Sequence, residues 1–126
     1  MKRSELLQRV RFVVQEKKRI LRFDFSGLAA TETLAVMDYG TRFIARMPPN
    51  SVLTLTNIAG ADYDQTVTDA LKKFTEHNKP YVIAGAVVGV AGLKKVIYHA
   101  VIRGTGRTNL KLFATETGAR EWLANY

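Results

Sequence analysis

Apolar positions along this chain switch between a period of two and a period near 3.6, and each switch marks an element. Val10, Phe12 and Val14 alternate with Arg9, Arg11 and Val13, which predicts a half-exposed strand over residues 9–14. Residues 15–18 are a polar break. Leu21, Phe23 and Phe25 then alternate with Ile20, Arg22 and Asp24 as a second strand, closed by Ser26-Gly27. Strands this close in sequence pair as an antiparallel hairpin, although no strong turn dipeptide specifies the loop. From Thr31 the spacing of Leu34, Met37, Ile44 and Met47 is helical, with Thr31 placed to cap and Glu32 in the first turn. Pro48-Pro49 stops that helix.

Residues 51–57 form a third strand in which Leu53 and Leu55 oppose Thr54 and Thr56, so one sheet face is expected to be only partly covered. Asp62, with Gln65 three residues on, is expected to cap a second helix whose apolar stripe is Val67, Ala70, Leu71 and Phe74. Asn78-Lys79-Pro80 ends it. Residues 81–88 are apolar throughout and read as a central strand. A third helix begins near residues 89–92 and is expected to bury Leu93, Val96, Ile97, Ala100 and Val101, with Gly104 as its C-cap. Residues 110–114 form the last strand. Thr115 caps a closing helix that packs Ala119, Trp122 and Leu123.

The order β-β-α-β-α-β-α-β-α forces parallel pairing after the hairpin, because each later strand is reached through a helix. Right-handed crossovers between neighbouring strands place the helices mainly on one face, and Thr54, Thr56 and basic hairpin positions are expected on the other. The 126 residues make one α/β domain, with no repeat or linker. Cysteine is absent, so disulfides and thiolate chemistry are excluded, which suits a cytoplasmic protein. The first residues lack a signal-peptide pattern, and no apolar run reaches the ~18 residues of a membrane span.

Net charge is +8, and residues 1–22 contribute +6 of it. Arg9, Arg11, Lys17, Lys18, Arg19 and Arg22 form a candidate basic patch that would attract acidic partners. The competing reading is a solubilised hairpin. Tyr39, Tyr63 and Tyr81 are not interleaved with the run to stack bases, so nucleic-acid binding is the weaker outcome.

Four stretches carry a family resemblance: ILRFDFSGL, VLTLTNIAGADYD, PYVIAGAVVGVAGLKK and FATETGAREWL. Together they resemble the bacterial SpoIIAA-like proteins, a group allied to STAS and Sec14-type domains. The resemblance covers about residues 9–124. It implies a right-handed βα superhelix with a mixed, mostly parallel five-stranded sheet and an N-terminal antiparallel hairpin. It also implies a non-catalytic, regulatory, protein-binding role, with small apolar ligands or lipids as the Sec14-type alternative. Better-understood relatives are anti-sigma-factor antagonists, switched by phosphorylation of a serine in an Asp-Ser-Ser-Gly turn at a helix start. The corresponding turn here is Asp64-Gln65-Thr66-Val67, without the serine pair or the glycine. Thr66 is its only hydroxyl, and a capped helix start without regulation is the simpler reading.

The implied contact surface lies at the carboxyl ends of the parallel strands, where open α/β sheets bind ligands. It comprises Asn57, Asp62, Tyr63, Asp64, Gln65 and Thr66. Gly85, Gly89 and Gly92, followed by Lys94-Lys95, form a glycine-rich turn that would let an anion approach the backbone, or would simply permit close packing. Arg103-Gly-Thr-Gly-Arg107-Thr reads either as a basic phosphate loop or as a helix C-cap and turn. His77 and His99 lack partners at metal-ligand spacing, and Ser4, Ser26 and Ser51 lack a nucleophile-elbow context. Asp24, Asp62, Asp64 and Asp69 are the remaining acid/base candidates. The expectation is therefore no enzyme, no metal and no cofactor. The partner is an unidentified protein, with a homodimer allowed if the less covered sheet face needs burial.

Overall fold

The computed structural model describes residues 1–126, the side chain of Leu93 excepted. A short helix, α1 (Arg3–Arg9), precedes the hairpin β1 (Val10–Gln15) and β2 (Lys18–Asp24). There follow α2 (Ala30–Ile44), β3 (Val52–Asn57), α3 (Gln65–Asn78), β4 (Val82–Val88), α4 (Leu93–Thr105), β5 (Leu110–Phe113) and α5 (Glu116–Ala124). A 3₁₀ turn over Lys79–Tyr81 leads into β4. The five strands lie in sequence order, β1 antiparallel to β2 and every later pair parallel. The middle strand is β3, with β4 between it and the edge strand β5, so β4 is interior rather than central.

Several local expectations need correction. The helix α1 was missed because seven residues, none of them buried, carry no apolar stripe. In α2 the N-cap is Ala29, whose N–H donates to Glu32 Oε1 (3.3 Å), and Thr31 is exposed inside the first turn. For α3 the N-cap is Asp64, not Asp62: Asp64 Oδ1 accepts from Val67 N at 2.8 Å. Both aspartates precede an apolar run, and only the backbone path decides which one faces the free N–H groups. α4 ends at Gly106 (φ 68°), two residues beyond Gly104, since the left-handed cap falls where the helix stops turning. Its Val96 and Ala100 are exposed, whereas Val101 is buried and Ile97 half-buried. Leu93, expected in that stripe, lies outside the described side chains. Thr115 caps α5 as expected, accepting from Gly118 N (3.1 Å).

Two cores sandwich the sheet. Phe23, Phe25, Val36, Met37, Ile44, Val67 and Phe74 fill one, under α2 and α3, with Phe23 and Phe25 edge-on to Phe74 at 5.0 and 5.7 Å. Ile20, Leu53, Leu55, Ala84, Ala86, Ala119 and Leu123 fill the other, under α5 alone. The helix α5 follows the last strand, so no crossover rule holds it to the face of the other helices. Thr54 and Thr56 therefore sit opposite to expectation. They face the α3–α4 layer, while Leu53 and Leu55 supply the face that α5 covers.

A register shift between β3 and β4 pairs Val52 with Val82 and Leu53 with Ala84, leaving Ile83 as the extra residue, 38% exposed. The carbonyls loosened there are gathered by Asn109 Nδ2, which donates to Val82 O (2.9 Å) and Ile83 O (3.2 Å). This bulge fixes the segment that carries Arg107.

Candidate functional site

The carboxyl ends of β2, β3 and β4 converge on a rim built from the segment after β3. Residues 58–62 are tied to their surroundings by backbone bonds. Gly27 N donates to Ala59 O (2.8 Å), Asp62 N to Leu28 O (3.0 Å), and Ile58 N to Val88 O (2.9 Å). Gly89 is required beside this loop. Its φ is +89°, and a Cβ there would stand 2.4 Å from Ala59 N. Gly85 is a different case. It lies within β4, and a Cβ would meet Leu110 Cδ2 at 2.5 Å and Thr54 Oγ1 at 2.8 Å, so side chains, not a helix, close over it. Gly92, with φ +57°, is the N-cap of α4. The three glycines thus serve separate packing and turn roles.

On this rim Asp62, Asp64, Gln65 and Thr66 are exposed. Gln65 Nε2 donates to Asp69 Oδ1 (2.9 Å). Thr66 stands in the first turn of α3, where the Asp64 carboxylate already occupies the Val67 N–H. Tyr63 turns inward, its hydroxyl pKa pushed up by burial, and Lys94 Nζ lies 5.3 Å from its ring centroid. Asn57 belongs elsewhere. Its Nδ2 donates to Glu116 Oε1 (3.0 Å), on the α5 side of the sheet.

That side holds an ion-pair network which absorbs part of the basic hairpin. Arg22 Nε and Nη2 both donate to Glu116 Oε1 (3.0 and 2.5 Å), and Arg22 Nη1 lies 3.1 Å from Asp24 Oδ2. Arg9 Nη1 is 3.5 Å from Asp24 and donates to Ser26 O (2.8 Å). Burial would raise the Asp24 pKa, but hydrogen bonds from Ser26 and the charges of Arg22 and Arg9 outweigh it and hold the carboxyl below its usual value. Glu116 is also opposed by burial and lowered by its bonds from Arg22 and Asn57. Of the other basic positions, Arg19 stacks over Phe12 (3.9 Å) and Lys18 donates to Tyr126 O. Arg11 and Lys17 are exposed.

On the opposite face α4 packs along α3 and stands off the strands, leaving a cavity of about 60 Å³. Phe23, Phe74, Ile97 and Val101 are among its apolar walls, and Thr54, Thr75, Tyr98 and Arg107 are among its polar ones. Arg107 is only 5% exposed. Nε donates to Asn109 Oδ1 (2.9 Å) and Nη1 to Thr75 O (3.0 Å), while the buried Nη2 has no hydrogen-bond partner among the described residues. The sequence placed Arg107 in a turn and gave no sign that it points inward. Sixty cubic ångströms falls well short of the roughly 300–1,000 Å³ of a lipid- or drug-sized site.

His77 Nδ1 lies 3.0 Å from Asn78 Oδ1, and His99 packs edge-on to Tyr98. Among the described residues no three His, Asp or Glu side chains gather as a metal site, and no helix is long and apolar enough to cross a membrane.

This arrangement is a SpoIIAA-like (STAS) fold. An uncharacterised protein with a SpoIIAA-like fold from Shewanella loihica PV-4 superposes with a TM-score of 0.70 at 16% identity, covering 90% of this chain and 91% of its own. An anti-sigma-factor antagonist (STAS) domain protein from Planctomyces limnophilus gives a TM-score of 0.59 at 13% identity, covering 91% and 97%. No protein-family model matches the chain, and no curated protein matches it.

Proposed function

We propose that this chain is a non-catalytic, cytoplasmic interaction module that binds a protein partner through the rim formed by Asp62, Asp64, Gln65 and Thr66. The observation that carries this reading is a loop both exposed and pinned. Its polar side chains face solvent, while its backbone is bonded to the β2–α2 and β4 segments. A partner would therefore meet a preformed surface and cost little ordering entropy on binding. The fold shared with an anti-sigma-factor antagonist domain supports a protein partner. The Asp64 carboxylate at the α3 start disfavours a phosphate on Thr66, since the added charge would face an existing anion. Recognition is accordingly constitutive.

The test is affinity capture from a bacterial lysate with the native protein and a D62R/Q65R/T66R variant, each checked for unchanged thermal stability. A partner retained by the native rim and lost from the variant supports the reading. Identical captured sets for the two proteins overturn it.

A further inference from the structure

The short helix α1 and the C-terminal half of α2 border an open surface groove of about 420 Å³. Its floor is apolar. Leu6 of α1 and Tyr39 and Phe43 of α2 are half-buried there and pack on the first core, and Met1 adds an exposed apolar wall. Tyr39 and Phe43 are four residues apart, so both rings share one helix face, with 6.3 Å between their centroids. Phe12 of the hairpin backs Phe43 at 5.8 Å, which anchors the floor to the sheet.

The mouth of the groove is cationic. Arg3, Arg42 and Arg46 line it and are exposed, and no Asp or Glu is among the described residues that line it. Arg42 and Arg46 are also four residues apart, a spacing at which like charges oppose each other. Arg42 is paired with Asp38, one turn earlier on α2. Arg3 and Arg46 have no carboxylate within ion-pair distance among the described residues.

Two uncompensated positive charges above hydrocarbon are the complement of a dianion that carries an apolar chain. A phosphate monoester bears nearly two negative charges near neutral pH and three acceptor oxygens. Guanidinium forks meet such oxygens in pairs. A single carboxylate would leave one of the two cations unmatched. Size agrees with this choice. The groove falls within the roughly 300–1,000 Å³ of small-ligand sites. Roughly 150 Å³ accommodates benzene, so a chain of about eight carbons fits together with its phosphate.

We propose that the α1–α2 groove binds a phosphate monoester with a single hydrocarbon chain, the phosphate bridging Arg3 and Arg46 and the chain lying along Leu6, Tyr39 and Phe43. The site is separate from the rim, which meets the opposite end of α2 through Leu28, and neither reading depends on the other.

The experiment is titration calorimetry on the native protein at pH 7 and ~150 mM salt, where screening suppresses loose surface attraction. Octyl phosphate, kept below its micelle-forming concentration, is the probe. Ethyl phosphate lacks the chain, octanol lacks the charge, and octanoate carries one negative charge in place of two. Expected is saturable binding of octyl phosphate, with each comparator at least roughly tenfold weaker. R3M/R46M is expected to weaken octyl phosphate binding by at least roughly tenfold. K73M/K95M removes two exposed lysines outside the groove and is expected to leave binding unchanged. Thermal denaturation checks that both variants fold. The proposal is overturned if the native protein does not bind octyl phosphate, if any comparator binds as tightly, or if R3M/R46M binds like the native protein. Equal losses in the two variants overturn it as well, since net charge would then explain the binding. So does attachment to phosphatidylglycerol vesicles without binding of the soluble ester, which would assign this face to a membrane surface.

Discussion

Single side chains here act through charges whose partners lie far away in sequence. Arg22, on β2, reaches Glu116 at the start of α5, and Asp24 is shared between Arg22 and Arg9. Both carboxyl groups are held below their ordinary pKa values. A depressed carboxyl contributes stability that is complete above its unfolded value, about 3.9 for Asp and 4.3 for Glu. That contribution is lost as pH falls toward the folded value. The urea midpoint of the native protein is therefore expected to hold from neutrality to about pH 5 and to drop below it. In R22M the midpoint at pH 7 is lower and the acid drop smaller. Equal acid drops in the two proteins would show that this network does not set the acid limb.

At the level of elements, the hairpin carries a correctable strain. Gln15 pairs with Lys18, leaving Glu16 (φ 48°) and Lys17 (φ 69°) as a two-residue turn with both residues left-handed. This is the type I′ pattern, which suits the twist of the flanking strands and favours Asn-Gly over Glu-Lys. A left-handed non-glycine residue costs about 1–2 kcal/mol, and glycine returns roughly 0.5–1 of that through unfolded-state entropy. Lys17→Gly is expected to stabilise the protein by about 0.5–1 kcal/mol, read from urea denaturation. A destabilised K17G would mean that the Lys17 side chain contributes more than its backbone strain costs. No glycine or asparagine marks this turn. The loop type was unreadable because the pairing register, not local propensity, imposes it.

For the molecule as a whole, one sheet serves two unequal cores, and α5 alone closes the second. Leu123 and Ala119 are fully buried there, and the single Trp122 packs at 5.3 Å from Phe113. Because Ile20, Leu53 and Leu55 belong to strands whose other faces hold the first core, α5 cannot leave without exposing the shared sheet. Unfolding followed by Trp122 fluorescence and by far-ultraviolet circular dichroism is expected to show one common midpoint. An earlier fluorescence transition would show α5 undocking as a separate unit.

What the sequence determined by itself was the order of elements from β1 onward and the parallel topology, because hydrophobic period and crossover handedness act locally and leave few alternatives. The Thr115 cap and the stripes of α3 and α5 were legible for the same reason. What only the tertiary structure decided was where each surface points. The side of the sheet taken by α5 depends on no crossover rule, and Asp64 rather than Asp62 caps α3 through the path of its loop. Arg107 turns inward because a bulge in β4, a pairing irregularity between strands, positions Asn109 to hold it. Interactions between residues tens of positions apart leave no periodic trace, so neither the bond that takes Asn57 to Glu116, nor the inward turn of Tyr63, nor the cavity with its buried guanidinium was legible in the chain.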